Sequence, residues 1–249
     1  MKEDKKMELN FRTLRPNEVD CRISQIDKNW CTLLLFKDAR VDMNILDETV
    51  GSMNWQKSYS RDNANCTVEI WDSEKSQWIS KEDTGTESFT EAEKGLASDS
   101  FKRACFNWGI GRELYTAPTI FIYPRKDMGS IRKPDDEPNE FFEKNGKYTT
   151  KTRFYVDYID YEDKVIKNLM IRDHKGNVRF EQLTPEKEKE INKQFEELRK
   201  LIQTNEEKDD KFDRAEFYKY FKVESDNQLN LSQREKAIEL LKKRLKKVD

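Results

Sequence analysis

Histidine is nearly absent from this chain: His174 is the only one in 249 residues, and it stands beside a Lys-Gly-Asn turn with no HExxH or HxH neighbour. A His-based triad and a His-rich metal site are therefore excluded. Close cysteine pairs are also missing. Cys21, Cys31, Cys66 and Cys105 show none of the CxxC spacing of zinc sites, and they read as small core residues of a chain kept reduced. GIGRE, Gly109 to Glu113, lacks the third glycine of a dinucleotide fingerprint, a preceding strand and any GKT or GKS, which leaves no recognisable route to ATP hydrolysis. No run approaches the ~18 consecutive apolar residues of a membrane span, and the start MKEDKKMEL has no apolar centre of a signal peptide. A cytoplasmic protein with no membrane partner is expected. Self-similarity at solenoid periods is absent as well.

Apolar residues are scarce, at 35% of the chain, while charged residues reach 39% against about 25% in an average soluble domain. Such a chain has a modest core and surface to spare. It gains burial by packing against copies of itself, or it carries solvated helices on a smaller core. The net charge of -2 and pI near 5.8 argue against coating nucleic acid by bulk charge, so any such binding needs a local groove.

The most informative stretch is EKGLASDSFKRACFNWGIGRELY, Glu93 to Tyr115, read as one helix. Ala97, Phe101, Ala104, Cys105 and Trp108 recur at the spacing of a buried helical face. The opposite face presents Gly95, Asp99, Lys102, Arg103 and Phe106, with small residues for close approach and two adjacent cations suited to phosphate. Thr90 and Glu93 form a candidate capping box.

Strands are expected at CRISQI and WCTLLLF within Val19 to Phe36, then a helix from Ala39 to Val50. Three antiparallel strands follow at Trp55 to Arg61, Asn65 to Asp72 and Gln77 to Lys81. After the central helix come a short strand, Thr119 to Tyr123, and a mobile insertion over about 124–150, rich in Pro, Asp, Lys and Gly. A hairpin, Arg153 to Tyr161 with Lys164 to Arg172, precedes a strand at Val178 to Phe180. The pattern then becomes helical: Thr184 caps a helix with Pro185 at its first position, Phe212 to Phe221 is a short helix, and a last helix starts at Ser232 with Glu235 as capping partner. The fold class is α+β, an antiparallel sheet packed on a central helix, followed by a small all-helical C-terminal module. The expected domains are 1–183 and 184–249.

Asp99, Ser100, Phe101, Lys102, Arg103, Ala104, Trp108 and Gly109 together resemble the central helix of the Sak and Rad-fifty-two superfamily of single-strand annealing proteins. ARVDMNILDETVGSMNW, with Arg40, Gly51 and Trp55, is similar to the family's upstream helix, and GIGRELYTAP has the form seen in bacterial and prophage members. The resemblance covers roughly the first two-thirds of the chain. Phe106 stands where eukaryotic members have a further Arg. Trp71 stands where they have the Lys of an outer DNA site, which Lys75, Lys81 or the loop Arg125 to Lys133 would have to replace.

The resemblance implies an ATP-independent protein, not an enzyme, that binds single-stranded DNA and anneals complementary strands in recombination or double-strand break repair. It also implies a phage or prophage recombinase acting in a bacterial host cell or its nucleoid. The DNA-binding candidates are Arg40, Lys102, Arg103, Phe106 and Lys94; no catalytic residue, metal or cofactor is expected. Protomers would form a ring or helical filament, and the C-terminal module would recruit a single-strand binding protein or a phage exonuclease. Blander readings stand beside these: Arg40 pairs with Asp42 or Glu48, Trp55 is core, and Phe106 is buried between protomers. One alternative function is a single-stranded DNA or RNA binder without annealing activity. The other is a metal-dependent nuclease built from Pro134-Asp135 and Glu162-Asp163-Lys164.

Overall fold

The structure, a computed structural model, describes residues 9–86, 92–125 and 140–248, without the side chains of 92–94 and 247–248. Thr90, Lys133, Pro134 and Asp135, and the side chains of Glu93, Lys94 and Val248, lie outside the described residues. The chain is α+β, with antiparallel sheets and five α-helices among those residues. It divides into two compact units, one of residues up to Val19 with Phe36–Thr116, the other of Asp20–Leu35 with the residues from Ala117 on.

The first unit holds α1 (Ala39–Val50), strands β3 (Trp55–Ser60), β4 (Asn65–Asp72) and β5 (Gln77–Thr84), and α2 (Ala92–Trp108). The strands pair antiparallel in the order β3-β4-β5. Alternation along β4 turns Cys66, Val68 and Ile70 inward, all buried, as the two-residue period of a half-buried strand requires. α2 lies on β4 and β5 and also meets α1, contributing buried Phe101, Ala104 and Cys105. Trp55 stacks on Phe101 at 6.2 Å. The polar Ser100 shares this face because two turns pass tightly against it: its hydroxyl donates to Asn63 O of the β3–β4 turn at 3.0 Å, and a Cβ on Gly85, just after β5, would come within 2.5 Å of Ser100 N. Buried Glu113 accepts the Leu14 N–H at 2.7 Å, fixing the N-terminal segment of this unit.

α2 stops at Trp108 and does not continue to Tyr115. Gly109, at φ +101°, donates to Phe106 O, and Ile110 N donates to Cys105 O. This bond pair is a Schellman stop, whose left-handed residue favours glycine. Ile110 is buried behind it, and a 3₁₀ turn, Arg112–Thr116, follows.

The second unit contains a sheet of β1 (Asp20–Ile26), β2 (Cys31–Phe36) and β6 (Ile120–Ile122), and a hairpin of β7 (Phe141–Lys144) with β8 (Lys147–Thr150). A third sheet joins β9 (Phe154–Glu162), β10 (Val165–Asp173) and β11 (Val178–Gln182) in the order β11-β10-β9. The expected irregular insertion is thus ordered at its C-terminal end. Asn145 and Gly146, both at positive φ, make the tight turn that two-residue hairpins need, and Phe141 is buried.

Helices α3 (Pro185–Lys208), α4 (Arg214–Phe221) and α5 (Leu231–Val248) complete this unit. Leu198, Ile202, Phe221, Leu229, Ala237 and Leu241 form their common core. Thr184 caps α3 with Pro185 at its start, as read from the sequence. α5 is capped differently from expectation. Asn230 and Gln233 bond each other's backbone N–H reciprocally, and an Asn at that position satisfies the first helical donors as well as a Ser does.

Within the second unit, the helices from Thr184 onward are bonded to the β9–β11 sheet. Arg172 of β10, fully buried, pairs with Asp157 of β9 at 2.6 Å and donates to Asn227 O at 2.8 Å. Thr184 N donates to Asn168 Oδ1 at 2.6 Å, and Lys187 sits over the Tyr158 ring at 4.3 Å. The helices are tied to this sheet by buried polar groups, which an apolar-stripe reading does not detect.

Candidate nucleic-acid interface

The N-terminus of α1 carries the first candidate cation. Asp38 caps the helix, accepting the Arg40 N–H at 2.8 Å, and the Arg40 guanidinium returns to the same carboxylate through Nε at 2.8 Å and Nη2 at 3.1 Å. An arginine in a first turn opposes the helix dipole, and the carboxylate at the cap offsets it. Arg40 is 83% exposed. It pairs with Asp38 and not with Asp42 or Glu48: Asp42 is held by Lys37 and Glu48 by Arg12 and Arg15.

Lys102, in the middle of α2, exerts a weaker electrostatic pull on the same carboxylate. The Asp38 carboxyl is held down to about 2, chiefly by the Arg40 side chain and backbone N–H, with a smaller attraction from Lys102. Two candidate cations from two helices therefore act on one exposed anion. Beneath them, burial pushes the Asp42 carboxyl up to about 6 against the attraction of Lys37 and Lys102. The Lys37 stem runs under Gly111, where an added Cβ would fall 2.2 Å from Lys37 Cε at a φ of +75°. A larger residue there would have to displace the Lys37 stem and adopt a strained left-handed backbone.

Arg103 points to the other flank of α2, where its Nε lies 3.2 Å from Asp83 on β5 and both groups keep contact with water. Asp99, on the same helix, accepts the backbone N–H and hydroxyl of Thr86, so it fastens the connector before α2. Lys94 cannot be placed, since its side chain is outside the described residues.

Phe106 follows Lys102 and Arg103 by four and three residues, the spacings that share a helical face. It is half-buried, its ring 4.7 Å from that of Tyr115 at an interplanar angle of 56°. The Arg112 guanidinium lies 5.4 Å from the Phe106 ring centre and donates to Phe106 O at 2.8 Å and Asn107 O at 2.9 Å. It thereby adds a second donor to two carbonyls at the end of α2, which also accept from Gly109 N and from Lys81. Tyr115 is 74% exposed. Neither Arg112 nor Tyr115 follows from a reading of Glu93 to Tyr115 as one helix. The signal was Gly109 after Trp108, which ends the helix and folds the next residues back along it.

The substitutes for an outer site are engaged elsewhere. Lys81 donates to Asn107 O at 2.9 Å and lies over the Trp108 ring at 4.5 Å. Lys75 pairs with Asp72 at 2.7 Å in the β4–β5 turn, Trp71 meets Trp78 edge-on at 5.5 Å, and Arg125 donates to Val178 O at 3.3 Å. Of the nuclease residues, Glu162, Asp163 and Lys164 lie at the β9–β10 turn. Among the described residues no group of three His, Cys, Asp or Glu side chains is placed to hold a metal, and no helix is long and apolar enough to cross a membrane. No family model matches the chain, no curated protein matches it, and no solved structure matches it.

Proposed function

We propose that this chain binds single-stranded DNA and anneals complementary strands without ATP, as a phage-type recombinase in recombination or double-strand break repair. The observation that carries the reading is the exposed Arg40 held on Asp38 at the start of α1, with Lys102 of α2 exerting a weaker pull on that carboxylate and Arg103, paired with Asp83, the next residue of α2. Phosphates can take the place of the exposed carboxylates, because surface ion pairs contribute little and are exchanged readily. The resemblance of these positions to the annealing superfamily supplies the rest. Arg40, Lys102 and Arg103, with Lys94, would hold the phosphate backbone, and Phe106 would face the bases. Copies side by side in a ring or helical filament would continue the groove. Annealing breaks no covalent bond: it needs screening of the repulsion between two strands, one strand held extended with pairing edges free, and release once duplex forms. The helices from Thr184 onward would recruit a single-strand binding protein or an exonuclease in a bacterial cytoplasm.

Complementary labelled oligonucleotides in EDTA test this directly. Accelerated duplex formation is expected, and light scattering at micromolar concentration should give a mass many times 29.8 kDa. Binding without acceleration would mean a single-stranded DNA or RNA binder, and magnesium-dependent shortening of the strands would mean a nuclease.

A further inference from the structure

We infer that Phe106, Tyr115 and Arg112 form a stacking platform for unpaired bases at the C-terminal end of α2. This rests on the single-strand binding proposed above and adds a second kind of contact to it.

The platform is built from one local device. The Schellman stop at Gly109 turns the chain, burial of Ile110 anchors the turn, and the 3₁₀ segment Arg112–Thr116 returns beside the last turn of the helix. Arg112 closes it by donating to the carbonyls of Phe106 and Asn107 while its guanidinium lies 5.4 Å from the Phe106 ring centre. Tyr115 brings its own ring 4.7 Å from that of Phe106, yet remains 74% exposed. A tyrosine held by a ring neighbour and open to water contributes little to the core, and its face is available to a planar partner. Fixing both rings beforehand lowers the ordering cost of binding.

Nucleic acid is the occupant that the surroundings favour. Lys102 and Arg103 lie one turn back on the same helix, so a strand whose phosphates they hold would pass its bases toward the rings. Aromatic faces stack on bases with little regard to sequence, whereas a duplex keeps its bases stacked on each other and offers only its terminal faces. The cations would thus secure any polyanion, and the platform would select a strand with unpaired bases.

The test compares an oligothymidine with an abasic strand of the same length, for the full chain and its Tyr115→Ala, Tyr115→Phe and Lys102→Ala/Arg103→Ala variants. Tyr115→Ala should weaken binding to oligothymidine by roughly 5- to 150-fold for one stacked base. It should leave the salt dependence and the affinity for the abasic strand unchanged, because no phosphate contact is lost. Tyr115→Phe should bind as the parent does. The Lys102→Ala/Arg103→Ala variant should weaken both strands equally. If Tyr115→Ala weakens both strands alike or neither, the platform is wrong while the phosphate groove stands. If the parent chain binds neither strand, both readings fall. If Tyr115→Ala instead changes the assembly mass in light scattering, these rings belong to a contact between copies, and the platform is overturned.

Discussion

Arg40 is held at the first turn of α1 by Asp38, and the pairing makes a titration prediction. Because Arg40 depresses the Asp38 carboxyl to about 2, the stability this pair contributes is present above the ordinary carboxylate range. It is lost as pH falls from about 4 through that depressed value. In Arg40→Ala the Asp38 midpoint, followed by NMR, should rise part of the way toward its usual value, since the helix N–H bonds remain. An unmoved midpoint would mean the guanidinium does not hold the carboxylate in solution. For DNA, each of Arg40→Ala, Lys102→Ala and Arg103→Ala should weaken single-strand binding irrespective of sequence. Each should reduce the log-log salt slope by roughly 0.7; unchanged affinity in a folded, assembled Lys102→Ala/Arg103→Ala double variant removes the groove. The cations were legible because Lys102 and Arg103 adjoin on a face opposite an apolar stripe. Their carboxylate partners were not: Asp38 precedes the helix and Asp83 comes from a strand, and only folding sets them beside Arg40 and Arg103.

At the scale of elements, backbone geometry decides where change is tolerated. Gly111→Ala would force a Cβ against the Lys37 stem and strain a left-handed residue. It should destabilise the protein by about 1–3 kcal/mol, read as a lower urea midpoint, with an unchanged midpoint showing that Lys37 simply moves aside. Asn230→Ala should cost about 0.5–2 kcal/mol through loss of the α5 cap, whereas Ser232→Ala, the expected cap from sequence, should cost little. Periodicity sufficed for α1, for β3 to β5 and for the start of α3, where an apolar rhythm and a capping residue agree. It failed where a single residue overrides rhythm. Gly109 ended α2 early, and Asn145-Gly146 made a hairpin inside a segment whose average composition reads as irregular.

For the whole molecule, the buried pair Arg172–Asp157, exposed by 0% and 3%, joins β10 to β9 and links that sheet to the helices from Thr184 onward, Arg172 donating to Asn227 O and Asp157 accepting the Leu231 N–H. Removing one partner of such a pair costs about 3–5 kcal/mol. Arg172→Met should therefore lower the unfolding midpoint of the entire second unit in one transition. A chain ending at Leu183 should lose the folded sheet as well as the helices, measured by hydrogen exchange of β10. Retained protection there would show a separable C-terminal module. The chain carries 47 basic and 49 acidic residues, and the candidate groove repeats that balance locally, with Asp38 beside Arg40 and Asp83 beside Arg103. These carboxylates act as counterions that cannot diffuse away. On the proposed function, loading a strand would be an ion exchange in which phosphate displaces a tethered anion, and the same anion would reclaim its cation when the strand loosens. If the proposed function holds, a groove so built would hold DNA less tightly than bare cations and would reset without an energy source, as strand exchange between trial partners demands.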